Sequence, residues 1–254
     1  MRILLIRHGE PDYSGDSLTP KGQVEAELLG LRLAGYKLRD IYVSPLGRAQ
    51  KTAEYTLRRM GRKAETLPWL QEFRARYTEP DTGRNTVVWD RKPRFWTRFP
   101  DSFDPDRWAD IPPFQGSETR KVWEETKAGM DELMSRYGFR KEGHVWLSEN
   151  NTPDTIALFC HFGITMAILG YLTEVSPMIY WHHMISLPTG VTEVVTEERV
   201  PGEVSFRIVR MGDLTHLEMN REPGSTHGLF PECYTGVDST DPQVNGMPLR
   251  KGYA

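Results

Sequence analysis

Apolar positions come first as a short unbroken run. Ile3-Leu4-Leu5-Ile6, inside Arg2–Arg7, predicts a strand buried on both faces. Thr19 then stands directly before Pro20, an N-cap followed by proline at the first helical position. Val24, Leu28 and Leu31 recur at helical spacing, and Gly35 is placed to end that helix. Ile41-Tyr42-Val43 reads as a second short strand. Ser44-Pro45 repeats the cap-plus-proline start, for a helix running to about Gly61. Strand–helix–strand–helix order predicts a parallel sheet covered by helices.

The periodicity breaks over 73–116, which holds six of the 18 prolines, three of the seven Trp and five of the ten Phe. Disordered segments are poor in aromatics, so this stretch predicts an ordered insertion with little regular structure. Ser117 then caps a long helix to Gly138, with Val122, Met130, Leu133 and Tyr137 on one face. The apolar run 154–160 is the best buried strand in the chain, and 163–172 reads as the helix after it. Segments 191–196 and 204–211 flank Val200-Pro201-Gly202-Glu203 and predict a hairpin. The last 34 residues carry four Pro and five Gly and read as an irregular tail. The expected fold class is α/β, a three-layer sandwich. It has a mainly parallel sheet, helices on both faces and an inserted cap. Residues 1–220 form one domain with 73–116 as its cap, and 221–254 form the tail.

Composition narrows the function. A formal charge of −3 and a pI near 6.2 exclude a protein built around a bulk basic field. The insertion mixes aromatics with basic residues, but its eight basic and seven acidic residues favour a packed cap over a nucleic-acid strip. No apolar run approaches the ~20 residues that span a bilayer, and the N-terminus is too short for a signal-peptide core. Two cysteines, Cys160 and Cys233, cannot build a disulfide framework, so a reduced, cytoplasmic protein is expected.

Candidate chemistry gathers at strand ends, where open α/β sheets bind ligands. The first strand ends in Arg7-His8-Gly9-Glu10, and the best buried strand ends in Cys160-His161-Phe162. Arg48 falls in the first turn of the second helix, where a cation opposes the macrodipole unless an anion sits in front of it. An arginine paired with a nearby carboxylate is the plainer reading. Two histidines and two arginines at three strand ends make a cationic pocket suited to a phosphoryl group.

These motifs, in this order, resemble the histidine phosphatase superfamily, also called phosphoglycerate mutase-like. The likeness runs through Arg7-His8-Gly9-Glu10, Leu18-Thr19 to Gly22, Ser44-Pro45 to Glu54, and His161. It extends to 187–194 and 211–217, and so covers roughly 1–72 and 117–217. It implies a phosphomonoesterase in which His8 is phosphorylated, while Arg7, Arg48 and His161 hold the phosphoryl oxygens. It also implies that no metal or other cofactor is required. Leu70-Gln71-Glu72 fits the family's Leu-x-Glu pattern and makes Glu72 the general acid and later the base, with Glu79 and Asp81 as rivals. Pro11 and Phe162 depart from the commoner residues. The mutases' longer stretch after the first motif is replaced by Asp12–Asp16, which favours hydrolysis over transfer.

A small phosphorylated metabolite is the expected partner, with no membrane or nucleic acid, and homo-oligomerisation stays open. The alternatives are a phosphoglycerate mutase-like phosphotransferase and a non-catalytic phosphate-binding protein. His182-His183 lacks a carboxylate or cysteine at ligand spacing and reads as packing. Trp123 and Trp146 read as packing too, and His227 and Cys233 are given no role.

Overall fold

The structure, a computed structural model, describes residues 1–229. Cys233 and most of the expected tail lie outside the described residues. In chain order the strands and helices are β1 (Arg2–Arg7), β2 (Pro11–Asp12), β3 (Ser17–Leu18), α1 (Pro20–Leu33), β4 (Leu38–Val43), α2 (Gly47–Met60) and β5 (Glu65–Thr66). The insertion contributes the ribbon β6 (Arg76–Thr78) and β7 (Asn85–Val87), the one-turn α3 (Pro93–Trp96) and three 3-10 turns. Then follow α4 (Thr119–Ser135), β8 (Phe139–Glu142), β9 (Val145–Ser148), β10 (Thr155–Cys160), α5 (Phe162–Thr173) and α6 (Pro177–His183). The chain continues through β11 (Val191–Val200), β12 (Glu203–Asp213) and α7 (Thr215–Glu218).

Eight strands form one mixed sheet in the order β5-β4-β10-β1-β11-β12-β9-β8. The β5, β4, β10 and β1 half is parallel, and the rest adds on antiparallel from β11 outward. The period of two along β1 divides the core. Leu4 and Ile6 pack with Leu29 and Leu33 of α1 and Ala49 and Ala53 of α2. Ile3 and Leu5 face the other way, with Val122 and Met130 of α4 and Ile164 and Ile168 of α5. The insertion belongs to this second layer: Phe73, Trp96, Trp108 and Phe114 are all buried in it, as are Trp123 and Trp146.

Several local expectations need correction. In α1, Thr19 does cap the helix by accepting from the Gly22 amide. However, Val24 and Leu31 are exposed, and the buried stripe is Gly22, Glu25, Ala26, Leu29, Gly30 and Leu33. Small residues lie inward because backbone comes against them. A Cβ on Gly22 would sit 2.2 Å from the Glu10 carbonyl oxygen, and one on Gly30 would lie 3.2 Å from Tyr55. Helix α2 starts at Gly47 with Leu46 as its cap, later than Ser44-Pro45 predicts. The residue before α4 is Glu118, with Ser117 Oγ accepting from the Thr119 amide one position upstream. The β8–β9 hairpin and α6 are additional elements. Ser176-Pro177 carries the same start signal that locates α1. No helix among the described residues is long and apolar enough to cross a membrane.

Candidate active site

Register brings the motifs together. Arg7 pairs with Cys160 and Val43 with Phe159, so β1, β10 and β4 end at one level. The His8 amide donates to the Cys160 carbonyl at 3.0 Å, and the Ser44 amide to that of Phe159 at 2.9 Å. His8, Ser44 and His161 therefore leave adjacent strand ends side by side, and the His8 and His161 ring centroids lie 5.1 Å apart.

His8 is 2% exposed. Its Nδ1 lies 2.7 Å from the Gly9 carbonyl oxygen. A carbonyl only accepts, so Nδ1 carries the proton and Nε2 keeps its lone pair. The backbone around the ring is fixed on both sides. The Gly9 amide donates to Thr52 Oγ1 at 2.9 Å, and the Thr189 amide donates to the His8 carbonyl at 3.1 Å. Burial, reinforced by His161 and Arg7, holds His8 well below the usual histidine range and keeps it neutral near pH 7.

Arg7, Arg48 and His161 surround it. Arg7 donates through Nη1 to the Ser186 carbonyl at 2.6 Å and through Nη2 to that of His227 at 3.4 Å. Arg48, in the first turn of α2, donates through Nη1 to Asp16 Oδ1 at 2.6 Å, and its guanidinium stands over the Tyr13 ring. The other Asp16 oxygen accepts from the Gly47 amide at 2.6 Å. A carboxylate thus satisfies part of the helix start, as the plainer reading expects, and Asp16 adopts the left-handed region at φ 44° to do so. The Nε atoms of Arg7 and Arg48 and Nδ1 of His161 are nevertheless buried without partners. His161 Nε2 is 2.7 Å from Ser44 Oγ, so Ser44 serves the imidazole rather than a helix cap. Burial, then Arg48 and Arg7, hold His161 well below its ordinary range.

Glu72 follows a 3-10 turn at Pro68–Leu70 and reaches the start of α5. Its Oε1 accepts from the Phe73 amide at 2.7 Å and the Ile164 amide at 3.0 Å. Burial raises its pKa, with those amides and the Arg7 charge opposing. The two rivals sit on the insertion's ribbon. Glu79 is tied to Arg91 at 3.0 Å and accepts from Thr82, which holds it below the usual carboxylate range. Asp81 is exposed in the turn.

Some participants carried no sequence signal. Asp16, Ser44 as an imidazole partner, and the segment 222–229 come to the site through tertiary contacts. Ser225 donates to Glu10 through its hydroxyl and to Glu25 through its amide, and the His227 ring lies 5.5 Å from Tyr13. His182 is engaged through both nitrogens, donating from Nδ1 to the Met178 carbonyl and accepting at Nε2 from the Arg91 amide. No group of three or more His, Cys, Asp or Glu among the described residues could hold a metal ion. The unpartnered guanidinium and imidazole nitrogens beside a neutral His8 are a donor set of the kind that a tetrahedral anion takes.

Comparison with known proteins places the fold and the family. A phosphoserine phosphatase from Entamoeba histolytica, crystallised as a mutant with phosphoserine, has a similar fold. Its TM-score is 0.57 at 19% identity, covering 85% of this chain and 98% of that one. A mycobacterial glucosyl-3-phosphoglycerate phosphatase has a TM-score of 0.56 at 18% identity, covering 83% of this chain and 98% of that one. A 2,3-bisphosphoglycerate-dependent phosphoglycerate mutase from Bartonella quintana (strain Toulouse) is 40% identical over 70 residues, which is 23% of this chain. The chain spans only 34% of that relative's length. The family model of the histidine phosphatase superfamily (branch 1) matches residues 3–209. The chain belongs to the histidine phosphatase superfamily.

Proposed function

We propose that the protein is a phosphomonoesterase that works through phospho-His8 on a small phosphorylated metabolite. The observation that carries this reading is the set of buried nitrogens without partners, Arg7 Nε, Arg48 Nε and His161 Nδ1, around a neutral His8. Buried donors without acceptors are costly in a folded protein, and a phosphoryl group supplies three oxygens to them at once.

In this reading His8 Nε2 attacks phosphorus as the ester P–O bond breaks. The raised carboxyl of Glu72 gives its proton to the departing oxygen. The resulting Glu72 carboxylate then takes a proton from water as that water attacks phosphorus. The N–P bond breaks, and inorganic phosphate and neutral His8 are released. Guanidinium and imidazolium groups spread the transition-state charge, the task a metal performs in other phosphoryl-transfer sites, so no metal is required. His161 takes up a proton as the dianion binds, against the opposition of Arg48 and Arg7. A cytoplasmic location accompanies this reading, supported by the count of two cysteines.

The test is phosphate release from a panel of phosphomonoesters in the presence of a chelator. Release should persist in chelator, and His8→Ala should abolish it while the circular dichroism spectrum stays unchanged. Wild-type rates in the variant would remove His8 from the mechanism. The local identity to the mutase supports a second reading, phosphotransfer between phosphorylated metabolites. Transfer of label between two esters faster than phosphate release would select it.

A further inference from the structure

Beside the site stand two aromatic rings, one of them supplied by the insertion. Phe162 follows His161 directly, and the Arg7 guanidinium lies 5.9 Å from its ring centroid. Trp89 meets Phe162 edge-on, with centroids 5.9 Å apart, and its indole N–H donates to the Phe73 carbonyl at 3.1 Å. Both rings are only half-buried. Gly163 fixes how close they come to Glu72, because a Cβ there would sit 2.7 Å from Glu72 Oε1 and 3.0 Å from Trp89 Nε1. Trp89 and Glu72 thus lie together over Gly163.

We infer that Trp89 and Phe162 form the wall that receives the leaving group, and that the preferred substrates are phosphomonoesters of uncharged aromatic or alkyl alcohols rather than of carboxylated ones. The inference rests on the phosphatase reading. The departing oxygen must reach Glu72, so the carbon attached to it is delivered against the indole and phenyl faces. An aromatic or alkyl group buries apolar surface there. A carboxylate would lose hydration without gaining a partner. The rings offer it no free donor, since the Trp89 N–H is held by the Phe73 carbonyl, and Arg91, two residues on, holds Glu79, Tyr77 and Thr86 through its terminal nitrogens.

Two measurements test this. The first is calorimetric binding of benzylphosphonate against 3-phosphonopropionate, which needs no turnover. Wild-type protein should bind benzylphosphonate about tenfold more tightly. The second compares kcat/KM for benzyl phosphate, methyl phosphate and 3-phosphoglycerate in wild type, Trp89→Ala, Trp89→Phe and Phe162→Leu. Trp89→Ala should lose about tenfold on benzyl phosphate and less than about threefold on methyl phosphate, with Trp89→Phe keeping most of the activity. Tighter binding of the carboxylated phosphonate overturns the inference. So does an equal loss on all three esters in Trp89→Ala together with Phe162→Leu, which would mean only structural roles. Selective benzylphosphonate binding without turnover of any ester supports the wall and overturns the phosphatase reading instead.

Discussion

Glu72 is held between opposing influences. Burial favours its neutral form, while the Phe73 and Ile164 amides and the Arg7 charge favour the ionised one, and burial prevails. A carboxyl poised in that way can give a proton to a leaving alkoxide and recover it from water. The expected pH dependence follows from His8 and Glu72. His8 lies well below the usual histidine range, so its neutral form persists into mildly acidic solution. In the proposed reaction Glu72 acts as acid only when protonated, so kcat should fall as pH rises through its raised pKa. Glu72→Gln should therefore lower kcat by about 10²–10³-fold on an alkyl phosphate and remove that alkaline limb. An alkaline limb that survives in Glu72→Gln would assign the acid elsewhere. At this scale the placement of the main candidate residues could be read from the sequence. Arg7, His8, Arg48 and His161 stand at strand ends and helix starts marked by local apolar runs. Asp16 and Ser225 could not be read, because what they bind lies 32 and 200 residues away in the chain.

At the scale of elements, legibility follows burial on both faces. β1 and β10 are enclosed above and below and read as continuous apolar runs. Helix α1 misleads because its inward stripe is small residues plus Glu25, and apolar Val24 and Leu31 face solvent. Glu25 is fully buried, accepts from the Glu10 and Ser225 amides, and has its pKa raised to about 7 by burial. A group with a raised folded-state pKa contributes its full stability below the unfolded value and loses it as pH rises toward the folded value. The shift from the ordinary 4.5 to about 7 corresponds to a loss on the order of 3 kcal/mol between those two pH values. Glu25→Gln cannot ionise. Its denaturation free energy should fall less steeply than wild type from pH 5 to pH 7. Parallel wild-type and variant profiles over that window would show that Glu25 is not the source.

Across the whole molecule the insertion poses the main question, since 73–116 has no periodicity from which to read a fold. Its aromatic residues point to order, and the structure gives that order a location. Trp108 is fully buried and lies 5.4 Å from Trp123 of α4 and 5.1 Å from Trp181 of α6, with Phe73 at 6.1 Å. Phe73 in turn lies 5.1 Å from Trp181. The insertion has no separate core; its rings complete the layer that packs under α4 and α5. An insertion with its own core would melt by itself, whereas one that shares a core must melt with the sheet. Trp108→Ala removes the ring that joins three elements and should cost about 3–5 kcal/mol. At roughly 2–4 °C per kcal/mol for a domain of this size, the midpoint should fall by on the order of 10 °C. Scanning calorimetry of wild type and variant should each give one transition, with the variant's displaced downward. Two transitions, with only the lower one moved by Trp108→Ala, would mean that the insertion is a separate folding unit.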